Sequence, residues 1–422
     1  MNHGGSTAPA TVPRTPAPTY RVLATCGFFA PGFRAGGPIR SVMSMLDTLA
    51  PDVRLALVTS DRDFGCRQPY PGLSGRWRTW SRCRVFYLNR RSLPQWFRLW
   101  RAQRAAGPYD LLYLNSAWDP VFSILPVLAT VLGLVSAQRI LIAPRGEFSA
   151  GALGIRGRKK RLFLAVWRRV LRRRDVLWHA TNHSEAASIR ALIPDAEIVL
   201  RANDTLLPAE PLPPVDHGDS RLRLVFISRI SPMKNLDLAL RSMASVTRPL
   251  IFDIYGPVDD RSHWKECQRL IGNLPATVTV SYHGPLDPAE VPTTFARYDA
   301  FVLPTRGENF GHVIAESLSA SCPVVCSAQT PWTDVLRHGG GVVLPELSEA
   351  ELGRVIEAMA ATDASERYAR RTAAGAAFRG WRRRPPEPGV IELVRSGSVL
   401  SPSGPPSGRP AVRTAGTGGR GV

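Results

Sequence analysis

Apolar positions along this chain fall into short runs, and these alternate with segments of helical spacing. In the first half the runs Tyr20–Thr25, Arg54–Thr59, Arg84–Leu88, Leu111–Leu114, Arg139–Ala143 and Val176–Ala180 predict buried strands. In the second half Leu222–Ser228, Leu250–Tyr255, Val278–His283, Ala300–Leu303, Pro323–Cys326 and Gly341–Leu344 do the same. Strands that alternate with helices predict parallel sheets covered on both faces. The stretch Leu206 to Asp219 holds four prolines and predicts an interdomain linker. The chain thus divides into a disordered tail over 1–18, a Rossmann-like domain over 19–205, a linker over 206–220, a second Rossmann-like domain over 221–381, and a tail over 382–422. Two such domains facing one another bring both sets of strand carboxyl ends to a cleft, where ligands bind.

Three stretches depart from this alternation. Residues 1–18 contain Pro, Thr, Ala and Gly without an apolar core, so they read as a disordered tail and not as a signal peptide. Val121–Ala137 is the longest apolar stretch, at 17 residues, and Ser123, Pro126, Thr130 and Gly133 interrupt it. A strand follows almost at once, so a buried helix is expected there and not a membrane span. From Arg382 to Val422 there are 7 Pro and 8 Gly in 41 residues, a disordered composition, and Arg382-Arg-Arg-Pro-Pro is expected to stop the helix that begins around Phe378-Arg-Gly-Trp381.

The chemistry concentrates in Phe301-Val-Leu-Pro-Thr-Arg-Gly-Glu-Asn-Phe-Gly-His-Val-Ile-Ala-Glu316. It reads as a buried strand, a glycine-containing loop and a helix that starts near Gly311. Glu308 lies at the strand's carboxyl end and Glu316 in the early turns of the helix. Between them Asn309, Phe310 and Gly311 offer backbone N–H groups where the helix dipole is positive, which suits an anionic diphosphate with hydroxyl-rich ends. Arg229 and Lys234 stand five apart in the loop after the strand Leu222–Ser228: a planar donor fork and a compact charge, both suited to phosphate. Gly36-Gly37-Pro38 ends a loop before a helix and permits close backbone approach.

Taken together these segments resemble the retaining GT-B glycosyltransferases, glycosyltransferase family four in particular. Glu308 to Glu316 is similar to that family's E-x7-E signature, Ser228-Arg-Ile-Ser-Pro-Met-Lys-Asn235 to its G-R-L…K-G element, Tyr20 to Val42 to its N-terminal glycine-rich loop, and Leu177 to Ile189 to the strand and helix that close the first domain. The resemblance covers roughly residues 19 to 380 and implies an α/β GT-B architecture. It implies catalytic roles for Arg229, Lys234 and Glu308, with Lys234 and Arg229 on the diphosphate and Glu308 on the donor sugar. It implies donor binding by Gly36, Gly37, Arg145, Asn309, Phe310, Gly311 and Glu316, with Glu316 on the ribose hydroxyls. The sugar nucleotide is a substrate, and no cofactor and no metal are expected, since no spaced Asp-x-Asp follows a strand. Many relatives carry a histidine where this chain has Ala143-Pro-Arg-Gly-Glu-Phe148; here Arg145 or Glu147 occupies that neighbourhood. His179 and His183 are expected to be structural, and His312 positional.

Charge and cysteine content add partners and compartment. The net charge is +20, which points to an anionic partner. Arg156 to Arg174 holds ten Lys or Arg around Leu162, Phe163, Val166, Trp167, Val170 and Leu171, and a second basic region mixes Arg76 to Arg104 with Trp77, Trp80, Trp96, Phe97 and Trp100. An anionic bilayer is the expected partner, and no nucleic-acid-binding motif accompanies the charge. Six scattered cysteines, none in a C-x-x-C pair, indicate reduced thiols. The expectation is a UDP- or GDP-sugar transferase that acts on a lipid-linked or polysaccharide acceptor in cell-surface polysaccharide or lipopolysaccharide synthesis, peripheral on the cytoplasmic membrane face. The alternatives are a GT-B protein that keeps the nucleotide cleft without turnover, and a basic nucleic-acid-binding protein.

Overall fold

The structure, a computed structural model, describes residues 19–149, 164, 167–218, 221–385 and 387–400. The chain forms two α/β domains. The first is built on an eight-stranded sheet of order β3-β4-β2-β1-β5-β6-β7-β8. Its strands are β1 Tyr20–Thr25, β2 Val53–Ser60, β3 Trp77–Trp80, β4 Cys83–Leu88, β5 Tyr109–Leu114, β6 Ala137–Ile142, β7 Asp175–Ala180 and β8 Glu197–Leu200. All pair in parallel except β3, which runs antiparallel to β4 at the edge. The second domain has a six-stranded parallel sheet of order β11-β10-β9-β12-β13-β14, made of β9 Leu222–Ile227, β10 Leu250–Tyr255, β11 Val278–Gly284, β12 Ala300–Leu303, β13 Val324–Ser327 and β14 Gly341–Leu344. In both sheets the strand order reverses beside the first strand of the domain, and each reversal opens a crevice at the strand ends.

Every strand expected from the apolar runs is present, with ends that shift by one or two residues. β3 and β8 are additional. Their exposed or half-buried faces carry weak apolar signals: only Ile198 and Val199 are buried in β8, and no residue of β3 is. The Val121–Ala137 stretch is a one-turn π-helix over Pro120–Ile124 followed by a helix over Leu125–Val131. Asp119 caps the turn by accepting from Val121 N and Phe122 N. Among the described residues no helix is long and apolar enough to cross a membrane.

Six helices bear on the cleft and its surroundings: α1 Gly37–Asp47, α2 Leu93–Ala106, α3 His183–Leu192, α4 Leu236–Met243, α5 His312–Ser319 and α6 Ala364–Arg382. The 19 residues of α6 follow Asp363, which caps the helix by accepting from Glu366 N, and Phe378 and Ala374 are wholly buried in the second domain.

The expected disordered tail from 382 is corrected over 387–400. After α6 the chain crosses back to the first domain and forms a helix, Val390–Ser396. Val390, Ile391 and Val394 bury against the first domain's core beside Val22, Leu55 and Leu141. Arg139 Nη1 donates to Val394 O at 3.4 Å, Leu400 N donates to Ile198 O at 2.7 Å, and Arg395 pairs with Asp52. Four apolar positions in a seven-residue helix between Pro388 and Gly397 are too few to register as a periodic segment. Residues 1–18 and 401–422 and most of the basic stretch 156–166 lie outside the described residues.

Candidate active site

The second domain's wall is built from two strand–loop–helix units. After β9 the loop is tied to its neighbour by Ile230 N donating to Pro257 O at 2.9 Å, and Asn235 turns into α4 with φ of 60°. After β12, Arg306 N donates to Met233 O at 2.9 Å and Thr305 Oγ1 to the same carbonyl at 3.2 Å, so the two loops are stitched together. That stitching brings Lys234 Nζ to 2.5 Å from Glu308 Oε1, with side chains only 14% and 9% exposed. An ion pair this buried depends on both members, because removal of one strands the other's charge. Arg229 differs: it is 38% exposed, donates to Asp259 Oδ2 at 2.9 Å, and stands 5.9 Å from the centre of the Phe64 ring in the first domain.

The loop after Glu308 leads into α5 through Gly311, whose φ of 78° favours glycine. Among the described residues the N–H groups of Asn309, Phe310 and Gly311 meet no acceptor, so they remain available at the positive end of the helix. Phe310 is held from behind: its carbonyl accepts from Trp332 Nε1 at 2.6 Å, and Trp332 packs on Trp381 of α6 with ring centres 4.7 Å apart. Glu316 lies in the second turn of α5, is buried, and forms an ion pair with Arg40 of α1.

The first domain's wall is assembled by long-range hydrogen bonds. The N-terminus of α1 packs against the N-terminus of α5, with Ser41 Oγ 2.8 Å from His312 Nε2. Burial, reinforced by Arg40 and Arg145, pushes the His312 imidazole down to about 3, so it is neutral at ordinary pH. Gly36 turns into α1 with φ of 71°, and a side chain on Gly37 would meet His312 Cδ2 at 3.2 Å. Gly37 thus makes a close approach to α5 across the cleft, while a side chain on Gly36 would meet open space.

Arg145, with φ of 54°, turns its guanidinium back into its own domain. Nη2 donates to Tyr113 OH and to Asn115 Oδ1, both at 2.8 Å, and Nη1 donates to Asn203 Oδ1. His179 backs this network through Tyr113 OH at 2.7 Å and Arg201 O at 2.8 Å, and burial lowers its pKa to about 3. It is structural, as expected. Glu147 accepts from Ser116 Oγ at 2.8 Å and from Ala117 N at 2.6 Å, and burial pushes its carboxyl up to about 7. Glu185 accepts from Gly146 N, Thr181 N and Thr181 Oγ1. That arrangement presents Thr181 and Asn182 to Asn309: Thr181 Oγ1 lies 2.9 Å from Asn309 Oδ1, and Asn182 Nδ2 donates to Asn309 O at 2.6 Å. The Asn309 side chain is thus an interdomain contact, and its N–H is the part left for a ligand.

All ten residues picked out from the sequence line one cleft of about 940 Å³: Gly36, Gly37, Arg145, Arg229, Lys234, Glu308, Asn309, Phe310, Gly311 and Glu316. Sequence reasoning missed Arg40 and Ser41. Both follow the glycine pair by one helical turn, on the face of α1 that meets α5, and that spacing was the available signal. It also missed Thr181, Asn182 and Glu185, which look like an ordinary helix start until Asn309 is placed against them.

Comparison with known proteins bears on the same cleft. Residues 214–376 match the family model described as Glycosyl transferases group 1. A D-inositol 3-phosphate glycosyltransferase of Mycobacterium leprae is 29% identical over 106 residues, which make up 25% of this chain and 25% of that protein. The matched stretch thus spans about a quarter of the length of that curated relative. Among solved structures, Anabaena HepE in complex with UDP-glucose superposes with a TM-score of 0.64 at 14% identity, covering 89% of this chain and 97% of that one. A sucrose-phosphate synthase of Thermosynechococcus elongatus gives 0.61 at 17% identity, over 86% and 94%. WaaG, a glycosyltransferase involved in lipopolysaccharide biosynthesis, gives 0.57 at 13% identity, over 86% and 95%. At these identities the likeness shows the fold, which is GT-B. The group 1 domain over residues 214–376, set in a two-domain GT-B fold, supports a glycosyltransferase.

Proposed function

We propose that the protein is a retaining hexosyltransferase that moves a sugar from a UDP- or GDP-linked donor to a lipid-linked or polysaccharide acceptor. The observation that carries this reading is the buried Lys234–Glu308 pair at the end of β9 and β12, beside the open N–H groups of Asn309, Phe310 and Gly311. A donor diphosphate set there takes Lys234 away from Glu308. Glu308 is then free to accept from hydroxyls of the donor sugar, and Glu316 from those of the ribose. As the bond between the anomeric carbon and the phosphate oxygen breaks, the charge that develops on the leaving diphosphate meets Lys234, Arg229 and the N-terminus of α5. The acceptor oxygen attacks the same face, and its proton passes to an oxygen of the leaving phosphate. On the acceptor side Glu147, protonated or ionised around pH 7, is placed to hold an acceptor hydroxyl.

Because fixed cations and N–H dipoles meet the diphosphate, transfer should proceed in EDTA; abolition by EDTA with rescue by Mg²⁺ or Mn²⁺ would count against this mechanism. The helix Val390–Ser396, which packs on the first domain's core, supports a protein with turnover over a cleft without it. We place the acceptor at an anionic membrane surface on the cytoplasmic face. On α2, Leu93 and Phe97 are 80% and 61% exposed beside the exposed Arg98, Arg101 and Arg104, a combination that suits a bilayer interface.

The deciding experiment is calorimetric titration with UDP, GDP and a short DNA duplex in separate runs. Saturable binding of one nucleoside diphosphate, with DNA binding that disappears at physiological salt, is the expected result. Tight, salt-resistant DNA binding without nucleotide binding would overturn the proposal.

A further inference from the structure

The cleft holds an ion pair that the donor-binding reading does not use. Arg40 of α1 pairs with Glu316 of α5, and among the described residues lining the cleft this is the ion pair that joins the two domains. Its neighbours narrow what it can do. In this arrangement of the cleft Lys234 pairs with Glu308, Arg229 with Asp259, and the Arg145 guanidinium with Tyr113, Asn115 and Asn203. His312, beside Arg40, is neutral at ordinary pH and so neither repels Arg40 nor competes for Glu316. Ser41, the next residue, anchors α1 to His312, so the backbone carrying Arg40 stays against α5 whatever its side chain does. Burial pushes the Arg40 guanidinium down to about 10, which leaves it charged at neutral pH.

These facts set a condition on donor binding, on the reading that Glu316 takes the ribose hydroxyls. A ribose cannot take Glu316 while Arg40 holds it, and a half-buried guanidinium facing the cleft without its carboxylate is costly unless another anion replaces it. The replacement arrives with the ligand. Glu308 and Glu316 bracket the N-terminus of α5, so a nucleotide that spans them places its diphosphate between them, next to Arg40. We propose that Arg40 is a partner-exchanging cation of the donor site, which neutralises Glu316 in one arrangement of the cleft and the donor's diphosphate in another. The exchange makes the phosphates necessary for the ribose to bind well. A nucleoside must break the Arg40–Glu316 pair and offers nothing in return; a nucleoside diphosphate breaks the same pair and supplies a better one. It also joins the first domain to the donor through a side chain, so donor binding and domain placement are linked.

The test compares nucleosides with nucleoside diphosphates on Arg40→Gln. With the unaltered protein, uridine, UDP, guanosine and GDP are titrated to find the pair that binds. In Arg40→Gln the diphosphate should bind about tenfold to a hundredfold more weakly, the loss of one charge-assisted contact. The matching nucleoside should bind more tightly, because Glu316 is released. Opposite shifts carry the proposal. Tighter binding of both would make Arg40 a gate only, weaker binding of both a structural support only, and no change in either a bystander; each overturns it. Arg40→Lys keeps the charge without the planar fork and guards against misfolding of the glutamine variant: its diphosphate affinity should fall between the two, and equality with the unaltered protein would overturn the proposal. Glu316→Gln separates this inference from the reading it rests on. If the unaltered protein binds neither diphosphate, or if Glu316→Gln changes no affinity, the donor-site reading itself has failed and the exchange with it.

Discussion

The two walls of the cleft are made in opposite ways. The second domain's wall is local in space: Lys234 and Glu308, 74 positions apart in sequence, sit in loops at neighbouring strand ends, Asn309 to Gly311 turn directly into α5, and Lys234–Glu308 and Arg229–Asp259 pair within the domain, while Glu316 pairs across the cleft with Arg40. The first domain's wall is distributed. Arg145 is held by residues 30 to 58 positions away, and Glu147 by residues 30 and 31 away. Its contacts with the other wall run through Arg40, Ser41, Thr181 and Asn182. A wall built from adjacent units can carry a fixed chemical task, here the proposed handling of a diphosphate, under almost any partner. A wall held by many separate side-chain hydrogen bonds can be altered residue by residue, which suits the recognition of different acceptors.

The largest effect should come from the local wall. Lys234→Ala should cost about 3–4 kcal/mol in kcat/KM, because it removes the diphosphate's compact cation and leaves Glu308 buried and unpaired. Arg229→Ala should cost less, about 1–2 kcal/mol, since this side chain is part-exposed and already served by Asp259. Steady-state transfer rates decide it, and equal losses in the two variants would break the distinction between buried and open cations.

Next are the two glutamates. Glu316→Ala should weaken nucleoside diphosphate binding by about 1–3 kcal/mol, whereas Glu308→Ala should leave it nearly intact and impair turnover of the sugar nucleotide. Calorimetry with the free diphosphate, set beside transfer kinetics, separates the two; equal losses of free-nucleotide affinity would erase the division of roles.

Both walls should show themselves in stability against pH. His179 and His312 are both held down to about 3 by burial, while unfolded histidines titrate near 6.5. Below about 6.5 the unfolded chain therefore binds protons that the folded chain refuses, and stability falls on acidification. Glu147, pushed up to about 7, works the other way: between its ordinary 4.5 and 7 the folded state holds a proton that the unfolded state lacks. Between about pH 4.5 and 6.5 one of the two histidine contributions survives, a slope of about 1.4 kcal/mol per pH unit. Denaturant melts across that range should show it, flattened in His312→Gln and steepened in Glu147→Gln. A slope that neither variant alters would contradict the assignment.

The smallest effect lies outside the cleft. Arg101→Gln on α2 should weaken binding to anionic vesicles by about 1 kcal/mol, an effect lost at high salt, and should leave nucleotide affinity unchanged. Equal sedimentation with neutral and anionic vesicles would remove the membrane from the account.

The same contrast explains what could be read from the sequence. The strands of both central sheets announce themselves because buried parallel strands are continuous apolar runs. The second wall's residues are legible because they are close in sequence: Arg229 with Lys234, and Glu308 with Glu316. Arg40 pairs with a residue 276 positions away, and Ser41 with one 271 away, a distance no local pattern spans. β3 and β8 lie at sheet edges with little buried surface, and the helix Val390–Ser396 owes its stability to the first domain's core more than to its own seven residues. Arg145 does line the cleft, as its place in the sequence suggests; that its guanidinium turns inward depends on Tyr113, Asn115 and Asn203, which come from three other places in the chain.

The central claim is that the wall formed by Lys234, Glu308 and Glu316 handles a sugar nucleotide. The most direct measurement is the release of nucleoside diphosphate from UDP- and GDP-sugars incubated without acceptor, in EDTA, with the unaltered protein and with Lys234→Ala. The account predicts slow release from one of the two donor classes and a loss of at least about a hundredfold in the variant. Release from neither class, or the same rate with and without Lys234, would contradict it.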